Sequence, residues 1–396
     1  MFFRQISDPK LAQYAYIIGC QQTGEAIVVD PERDIDRYIQ IAEEEGLQIT
    51  AAADTHIHAD YLTGLREFAE RGVKVFAPDE GGDNWRYNWL LNSDGRYNYV
   101  LLKDGDDFKI GNIKFKALYT PGHTPEHMSY LVTDGASSED AMGILSGDFV
   151  FVGDVGRPDL LETAAGLADT TKPAAKNLYR SIKEFEKLPE YLQVWPAHGA
   201  GSACGKALGA VPESTVGYEL RNNLSISAAE NQEKFVDFIL QGQPEPPLYF
   251  SRMKRDNREG PPVLGTFPQP AHLNYETFRE ETKNDDTVII DTRPIGNYMN
   301  GHLPNSILIP FNRSFPTAAG SYIQEDEKIY LICDSGDLKS IVESLIRIGL
   351  DDIAGYITPE AINAQHEQGE QLEKINIVDF KEAENMRDED TKVLDV

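Results

Sequence analysis

The stretch that most restricts the fold of this chain is THIHADYLTG, residues 55–64, which follows directly on the apolar segment ITAAAD. Residues two apart in an extended segment point to the same side. His56, His58 and Asp60 can therefore converge on one point just beyond a strand. This pattern is typical of a metal site, although a lone pair of histidines is more often structural or solvated.

Three later loops carry further side chains of the ligand type. The segment YTPGHTPEH contains His123 and His127, SGDFVFVGD places Asp148 after an apolar strand, and VWPAHGAG contains His198. Glycines flank three of these positions, which suits loops that crowd a bound ion. The sequence therefore predicts a metal site assembled from several strand-ending loops.

Short apolar segments alternate with helical patterns around a β-rich middle. Strand candidates include YAYIIG, EAIVVDP and VKVFAP, and DIDRYIQIAEEEGL has apolar residues at helical spacing. These patterns predict two sheets with helices outside them. The length of 396 residues favours two or three domains.

The composition of the sequence changes near Gln241, because residues 241–267 are rich in proline and charged residues. These residues are predicted to form a linker or an extended segment that wraps the domain. Residues 268–360 contain a smaller α/β pattern, with strands DTVIIDT and IYLICDS and the amphipathic helix LKSIVESLIRIG. Near the C-terminus, EDTKVLD echoes DDTVIID at an offset of 104 residues. Residues 361–396 are therefore predicted to be a linker and the start of a truncated second repeat, with a coincidental acidic tail as the alternative.

Charge and cysteine content exclude some classes of function. The net charge of −28 argues against nucleic-acid or anionic-membrane partners, because both need a positive surface. No secretory signal or membrane-spanning apolar run is present. Three cysteines far apart indicate a reducing compartment rather than a disulfide framework, so a cytoplasmic location is predicted.

The set HxHxD, PGHTPEH, SGD and PAHG resembles the metallo-β-lactamase superfamily, especially its glyoxalase II-like branch, over about residues 1–240. That resemblance implies an αββα sandwich with metals at the sheet edges. Hydrolases of this branch carry HxHxDH and two metals, whereas Tyr61 stands at the last position here. A phenol is a poor replacement for imidazole on a second zinc.

The first domain resembles the persulfide dioxygenases along its whole length. The segments that carry the resemblance are FRQ and YIIGC near the start, THIHADYLTG, and SGDFVFVGDVGRPDL. The resemblance implies one Fe(II) ion held by His56, His123 and Asp148, with zinc as the alternative metal. Two histidines and one carboxylate suit non-haem iron oxygenases. The implied reaction is oxidation of a small thiol persulfide by O2 to sulfite and free thiol, in sulfide detoxification, with thiosulfate left open as the final product. The resemblance also implies a homo-oligomer (dimer or tetramer). Glutathione, coenzyme A and bacillithiol stay open as carrier thiols.

The remaining polar residues of the motifs are predicted to orient the ligands or water: His58, Asp60, His127 and His198. A residual second metal site is the rival interpretation, and His127 could be an ordinary loop histidine. Tyr61 is either a hydrogen-bond donor in the site or a wall residue.

Candidates for the substrate side lie farther along the chain. Arg157, in GDVGRPD, is implied by the resemblance to line the thiol-carrier pocket, where a guanidinium binds carboxylate or phosphate, with a structural salt bridge as the alternative. Lys172 and Tyr179 are weaker candidates on the same ground. Cys204, in GSACGK, is similar to a cysteine near the iron in multidomain persulfide dioxygenases, and we hypothesise that it relays sulfane sulfur, with a small buried hydrophobe as the alternative.

The smaller domain resembles rhodaneses through VIIDTRPIGNYMNGHLPNSILIPFN. Rhodaneses carry a catalytic cysteine in a loop CxxGxR[ST], whereas the loop here is CDSGDLKS, starting at Cys333. Two aspartates there should raise the pKa of the thiol and repel sulfur oxyanions. Sulfurtransferase chemistry at Cys333 and a degenerate, structural copy are both compatible with this sequence.

Two other functions compete with persulfide oxidation. One is a zinc-dependent thioester hydrolase of the glyoxalase II type, which Tyr61 disfavours. The other is a non-enzymatic sulfur carrier with a vestigial metal site, which the full set of ligand-type residues disfavours. The rhodanese resemblance favours persulfide oxidation, since both activities handle sulfane sulfur.

Overall fold

The computed structural model of the protein describes residues 1–164, 166, 168–367, 369, 371–388 and 391–393. Contacts between residues divide the chain into two units, which are described separately. The first comprises residues 1–268, 312–325 and 340–351, and the second comprises the remainder. Much of the predicted C-terminal repeat strand, at residues 389, 390 and 394–396, lies outside the described residues.

One sheet of the first unit contains the N-terminal strands in sequence order. They are β1 (Phe2–Asp8), β2 (Gln13–Cys20), β3 (Glu25–Val29), β4 (Gln48–Ala53), β5 (Lys74–Pro78) and β6 (Tyr99–Leu102). The first three pair antiparallel, and β3 to β6 pair parallel. Parallel pairing places the carboxyl ends of β3 and β4 side by side, so the loop that carries HxHxD leaves the sheet beside Asp30.

The other sheet of this unit has the order β12-β11-β10-β9-β8-β7. Its strands are β7 (Asp107–Ile110), β8 (Ile113–Tyr119), β9 (Met128–Asp134), β10 (Gly143–Gly147), β11 (Gln193–Pro196) and β12 (Ser214–Thr215). Strands β10 and β11 are parallel, and β9 is antiparallel to both of its neighbours. The turn between β8 and β9 and the ends of β10 and β11 therefore meet at one edge.

Helices flank the strands along the chain. They are α1 (Asp36–Glu44), α2 (Leu65–Glu70), α3 (Asn88–Leu91), α4 (Leu160–Thr163), α5 (Thr171–Phe185), α6 (Val216–Asn222), α7 (Leu224–Ser227), α8 (Gln232–Leu240), α9 (Phe250–Glu259), α10 (Tyr275–Glu281), α11 (Ile295–Asn300), α12 (Phe315–Tyr322), α13 (Leu338–Arg347), α14 (Pro359–Glu367) and α15 (Phe380–Met386). Short 3₁₀ turns lie at Asp83–Trp85 and Ala228–Glu230. None of the helices in the described ranges is long and apolar enough to cross a membrane.

The apolar side chains form three layers of core in the first unit. Alternation along β2 sends Ile17 to the face covered by α1 and α2, and Ile18 to the face between the two sheets. The outer face of the second sheet packs on α5 and α8 through residues such as Leu178 and Phe235. This arrangement confirms the predicted αββα sandwich.

The Pro-rich segment predicted as a linker contains a helix in the structure. Helix α9 buries Phe250, Met253 and Asn257, which lie on one side at helical spacing. The other positions of FSRMKRDNRE are mostly charged. Three buried positions in ten residues produce too little periodicity for the sequence to indicate a helix.

The second unit has a parallel sheet with the order β13-β17-β16-β14-β15. Its strands are β13 (Ala271–His272), β14 (Thr287–Asp291), β15 (Ser306–Leu308), β16 (Lys328–Ile332) and β17 (Ile353–Ile357). Side chains of α10 and α14 pack on β14, β16 and β17 in its core. Cys333 directly follows β16 and so lies at the carboxyl edge of the parallel sheet, where ligands of open α/β sheets bind.

Candidate metal centre

The loops at one edge of the sandwich bring His56, His123 and Asp148 together. Their ligand-type atoms lie within 4.8 Å of one another. Nε2 of His123 is 3.3 Å and Nε2 of His56 is 3.9 Å from Oδ2 of Asp148. All three side chains are buried, so the chain encloses the predicted metal ligands in its interior.

Hydrogen bonds fix the tautomers of both histidines. The Nδ1 of His123 faces the carbonyl oxygen of Arg157 at 3.0 Å, and a carbonyl can only accept, so this Nδ1 carries the proton. The Nδ1 of His56 faces the hydroxyl of Thr55 at 2.9 Å, and that hydroxyl itself donates to Asp30. Both Nε2 atoms therefore present a lone pair toward Asp148.

The three residues form a cluster of acceptors without a donor. Nε2 of His56 and both carboxylate oxygens of Asp148 have no hydrogen-bond partner among the described residues. Burial holds the pKa values of His56 and His123 well below their ordinary range, with neighbouring histidines as a further cause. Buried acceptors without a donor are costly, and a bound cation removes that cost. The residues therefore fit the predicted metal.

His127 supports this cluster through hydrogen bonds. The backbone N–H of Asp148 donates to Nε2 of His127 at 2.9 Å, so Nδ1 carries the proton and donates to Thr120 at 2.8 Å. Burial lowers the pKa of His127 to about 3, which keeps the ring neutral. His127 thereby fixes the position of the Asp148 backbone.

His58 turns away from the cluster and pairs with Asp30. Its Nε2 is 3.1 Å from Oδ1 of Asp30 and 3.1 Å from the hydroxyl of Tyr61. Burial alone would lower the pKa of His58, but the charge and hydrogen bond of Asp30 raise it to about 9. Asp30 also accepts from the backbone N–H of Thr55 at 2.7 Å. The pair thus braces the segment that carries His56.

Tyr61 takes part in the same network rather than in the metal cluster. Its hydroxyl lies 3.2 Å from the carbonyl oxygen of Asp30 and receives a hydrogen bond from Gln13 at 3.2 Å. Its ring packs on His58 with centroids 4.5 Å apart. The side chain is completely buried, so it fills the position behind His58.

Asp60, His198 and Cys204 form a second group of ligand-type residues beside Asp148. Their ligand-type atoms lie within 4.8 Å of one another. Nδ1 of His198 donates to the carbonyl of Ala12 at 3.1 Å, so its Nε2 presents a lone pair. That Nε2 is 3.2 Å from Asp60 and 3.4 Å from Asp148.

Cys204 therefore lies in the site, next to a predicted metal ligand. Burial, and then the charges of Asp148 and Asp60, raise the pKa of its thiol well above the ordinary value. The loop that carries Cys204 is held by the backbone N–H of Arg157, which donates to the Cys204 carbonyl at 3.1 Å.

The other substrate-side candidates lie in different surroundings. The guanidinium of Arg157 is buried and donates to both carboxylate oxygens of Asp159, at 2.8 and 2.6 Å, and to the carbonyl of Ala203. Tyr179 of α5 packs beside Phe235 of α8, and Lys172 of α5 is exposed. Arg157 already has a carboxylate partner within the chain.

Cys333 begins the loop between β16 and α13 in the second part of the chain. Its side chain is buried, and its backbone N–H donates to Ile357. Burial, followed by the charges of Asp334 and Asp337, raises the pKa of the thiol to about 12. The group is therefore a thiol rather than a thiolate at neutral pH.

Some residues of the site were not indicated by the sequence. Glu126 is buried and accepts the backbone N–H of Ile57, within the HxHxD segment, at 2.9 Å. Its position in PGHTPEH, between His123 and His127, is the feature of the sequence that could have indicated a role in the site. Asn257 of α9 is also buried and binds the same loop, but nothing in its charged surroundings marks it.

Comparison with known proteins gives the family of this chain. The family model of the metallo-beta-lactamase superfamily matches residues 8–198, and that of the rhodanese-like domain matches residues 274–358. A crystal structure of a metallo-beta-lactamase from Staphylococcus aureus subsp. aureus COL is 40% identical, with a TM-score of 0.80, and the match covers 91% of this chain and 99% of that one. The chain belongs to the metallo-β-lactamase superfamily. The predicted order, a metallo-β-lactamase domain followed by a rhodanese-like domain, is confirmed.

Two further proteins that are similar to this chain carry the name ETHE1. The mitochondrial persulfide dioxygenase ETHE1 of Bos taurus is 28% identical over 204 residues, which cover 50% of this chain and 68% of that protein. The crystal structure of ETHE1 from Myxococcus xanthus is 27% identical with a TM-score of 0.52, and the match covers 67% of this chain and 100% of that one.

Proposed function

We propose that this protein is an iron-dependent persulfide dioxygenase that oxidises a small thiol persulfide to sulfite. The observation that carries the proposal is the separation of His56, His123 and Asp148 from His58. Two imidazole lone pairs and one carboxylate face each other without a donor, while His58 is committed to Asp30 and Tyr61. This leaves two histidines and one carboxylate, the ligand set that suits non-haem Fe(II) oxygenases. Similarity to the persulfide dioxygenases supports the same choice.

The overall reaction consumes one persulfide, one O2 and one water, R-S-SH + O2 + H2O, and gives R-SH, sulfite and two protons. Fe(II) bound by the three residues would supply redox chemistry with O2 and open positions for both reactants. The chain contributes orientation and exclusion of water. His127 fixes the Asp148 backbone, Thr55 fixes the His56 ring, and burial of all three ligands limits the access of bulk water.

Cys204 is proposed to relay sulfane sulfur within the same site. A persulfide R-S-SH transfers its outer sulfur to the Cys204 thiol, which releases R-SH and leaves Cys204-S-SH. Sulfite then attacks the outer sulfur, so that the S–S bond breaks, thiosulfate leaves and the Cys204 thiol is restored. The position of Cys204 in the group that adjoins Asp148, a proposed iron ligand, supports this role, because sulfite released at bound iron would meet the cysteine within the same site.

The test is purification without oxygen, followed by metal analysis and O2 uptake with glutathione persulfide. We expect close to one iron per chain and O2 uptake that yields sulfite or thiosulfate. His123→Ala should lose both iron and O2 uptake. The matched control His272→Ala alters an exposed histidine on β13 and should retain both. Full iron content without O2 uptake from any persulfide would refute the proposal.

A zinc-dependent thioester hydrolase is the second candidate, and one observation favours it. Asp60, His198 and Cys204 lie beside Asp148 and form a second set of ligand-type atoms, as a two-metal centre requires. Two zinc ions per chain with hydrolysis of S-lactoylglutathione would establish this alternative. One iron per chain and no hydrolysis would exclude it.

A further inference from the structure

Helix α9 is attached directly to the candidate metal-binding loop, residues 55–64, which contains His56. The side chain of Asn257 accepts the backbone N–H of Thr63 at 2.9 Å and donates to the carbonyls of His58, at 2.9 Å, and Tyr61, at 2.7 Å. The hydroxyl of Tyr249, just before the helix, donates to the carbonyl of Asp60 at 3.0 Å. The helix is therefore part of the wall of the centre.

A cavity of about 240 Å³ lies between this helix and the metal-binding loop. Its lining comprises Ile57, which stands between two histidines of the motif, Trp85 and five residues of α9: Ser251, Lys254, Arg255, Arg258 and Glu259. Three of these residues are basic and one is acidic, so the lining carries a net positive charge in a chain whose net charge is −28. Such a cavity favours an anionic ligand.

Lys254 differs from its two basic neighbours in its pairing. Arg255 pairs with Glu325 at 2.5 Å, and Arg258 pairs with Glu259 at 2.8 Å. The ammonium of Lys254 instead lies 4.4 Å from the ring centroid of Trp85. Within the described ranges of the chain, no carboxylate lies within ion-pair distance of it. Lys254 is thus the cation of this cavity with a free position for an acceptor.

The charge of Lys254 also reaches the metal-binding residues. After burial and the neighbouring histidines, it contributes to the lowered pKa values of His56 and His123. Burial lowers the pKa of Lys254 itself to about 8, although Glu126 opposes this shift. Glu126 is buried and accepts the backbone N–H of Ile57. Lys254 and Ile57 line the same cavity, so the ammonium of Lys254 lies beside the segment that carries His56.

We propose that this cavity binds the carrier portion of the thiol persulfide, and that Lys254 binds an anionic group of that carrier, a carboxylate or a phosphate. The ring of Trp85 packs against the Lys254 ammonium and limits the positions it can occupy. The assignment deepens the proposed function and rests on it. It makes α9, rather than the metallo-β-lactamase sandwich alone, responsible for substrate selection.

The experiment measures binding as well as turnover. Isothermal titration calorimetry measures the affinity of wild type, Lys254→Met and Lys254→Arg for two unreactive probes. S-methylglutathione carries carboxylates, and S-methyl-coenzyme A carries phosphates. We expect one or both probes to bind at least tenfold more weakly to Lys254→Met, with recovery in Lys254→Arg. Lys176→Met removes an exposed lysine of α5 and serves as the matched control. The probe that responds identifies the anionic group.

Steady-state kinetics distinguish a substrate-binding role of Lys254 from a purely structural role. With the persulfide of the carrier whose probe responds, Lys254→Met should raise KM about tenfold and change kcat little, whereas the neutral persulfide of 2-mercaptoethanol should react equally with both proteins. Unchanged probe binding in Lys254→Met, or an equal loss for charged and neutral persulfides, would overturn the assignment. Absence of O2 uptake in wild type would refute the proposed function alone, since probe binding reads the cavity independently.

Discussion

Arg347 is the residue whose replacement we expect to cost most stability outside the metal centre. Its side chain is 9% exposed and its guanidinium contacts three carboxylates, all within the first unit. The distances are 2.7 Å to Asp8, 3.1 Å to Glu32 and 2.6 Å to Asp34. Its backbone carbonyl also accepts the N–H of Leu62, within the candidate metal-binding loop, at 2.7 Å.

Arg347→Met keeps an unbranched apolar stem and removes the charge and the hydrogen-bond donors of the guanidinium. The substitution leaves buried carboxylates without their main partner, although Arg37 still contacts Glu32 and Asp34. Breaking a buried ion pair in this way costs about 3–5 kcal/mol, a large part of a typical stability of about 5–15 kcal/mol. For a unit of this size, we expect Tm to fall by on the order of 10 °C.

The assay is urea and thermal unfolding of wild type and Arg347→Met, followed by circular dichroism at pH 7. Arg221→Met is the matched control, because Arg221 pairs with Glu190 at 2.7 Å but both side chains are exposed, 73% and 61%. An exposed pair contributes about 0–1 kcal/mol. A loss below about 1 kcal/mol for Arg347→Met, equal to the control, would refute the role assigned to burial.

The same cluster predicts a pH dependence. Burial would raise the pKa of Asp8, but the charge of Arg347 and two backbone N–H groups outweigh it and hold the pKa below its ordinary value. A carboxyl group of this kind contributes stability that is complete above its unfolded pKa of about 3.9 and is lost as the pH falls through the folded pKa. The unfolding midpoint of wild type should therefore fall more steeply below about pH 4 than that of Arg347→Met.

Three further predictions concern the cysteines and His127. Because the pKa of Cys333 is raised to about 12, iodoacetamide should modify it very slowly in the native protein at pH 7.5, and Asp337→Asn should speed the reaction; equal rates would contradict the role of the aspartate. Cys204→Ser should abolish thiosulfate while O2 uptake and sulfite release continue, and unchanged product yields would refute the relay. His127→Phe removes the acceptor for the Asp148 N–H and should weaken metal affinity about 10–100-fold in a chelator competition, whereas unchanged affinity would make His127 an ordinary loop histidine.

The sequence was sufficient for the sandwich and for the main candidates of the centre, because both follow from local patterns. Alternation in THIHAD and the strands that precede His123, Asp148 and His198 indicate which side chains meet at a sheet edge. Parallel pairing of β10 with β11 then brings two of these loops together. A period of two residues and the ends of strands can be read without knowledge of distant contacts.

Tertiary structure alone decided which polar groups each of these residues faces. The pairing of His58 with Asp30 spans 28 residues, the hydrogen bonds of Asn257 to the metal-binding loop span up to 199, and the pairing of Arg347 with Asp8 spans 339. Such contacts depend on how loops of different elements close over one another, and no periodicity records them. Protonation follows from the same contacts, because a histidine nitrogen beside a carbonyl must donate and its other nitrogen is left to bind a metal. The sequence determined the candidate ligands, and the packing of distant loops decided which of them face the metal cluster and which brace it.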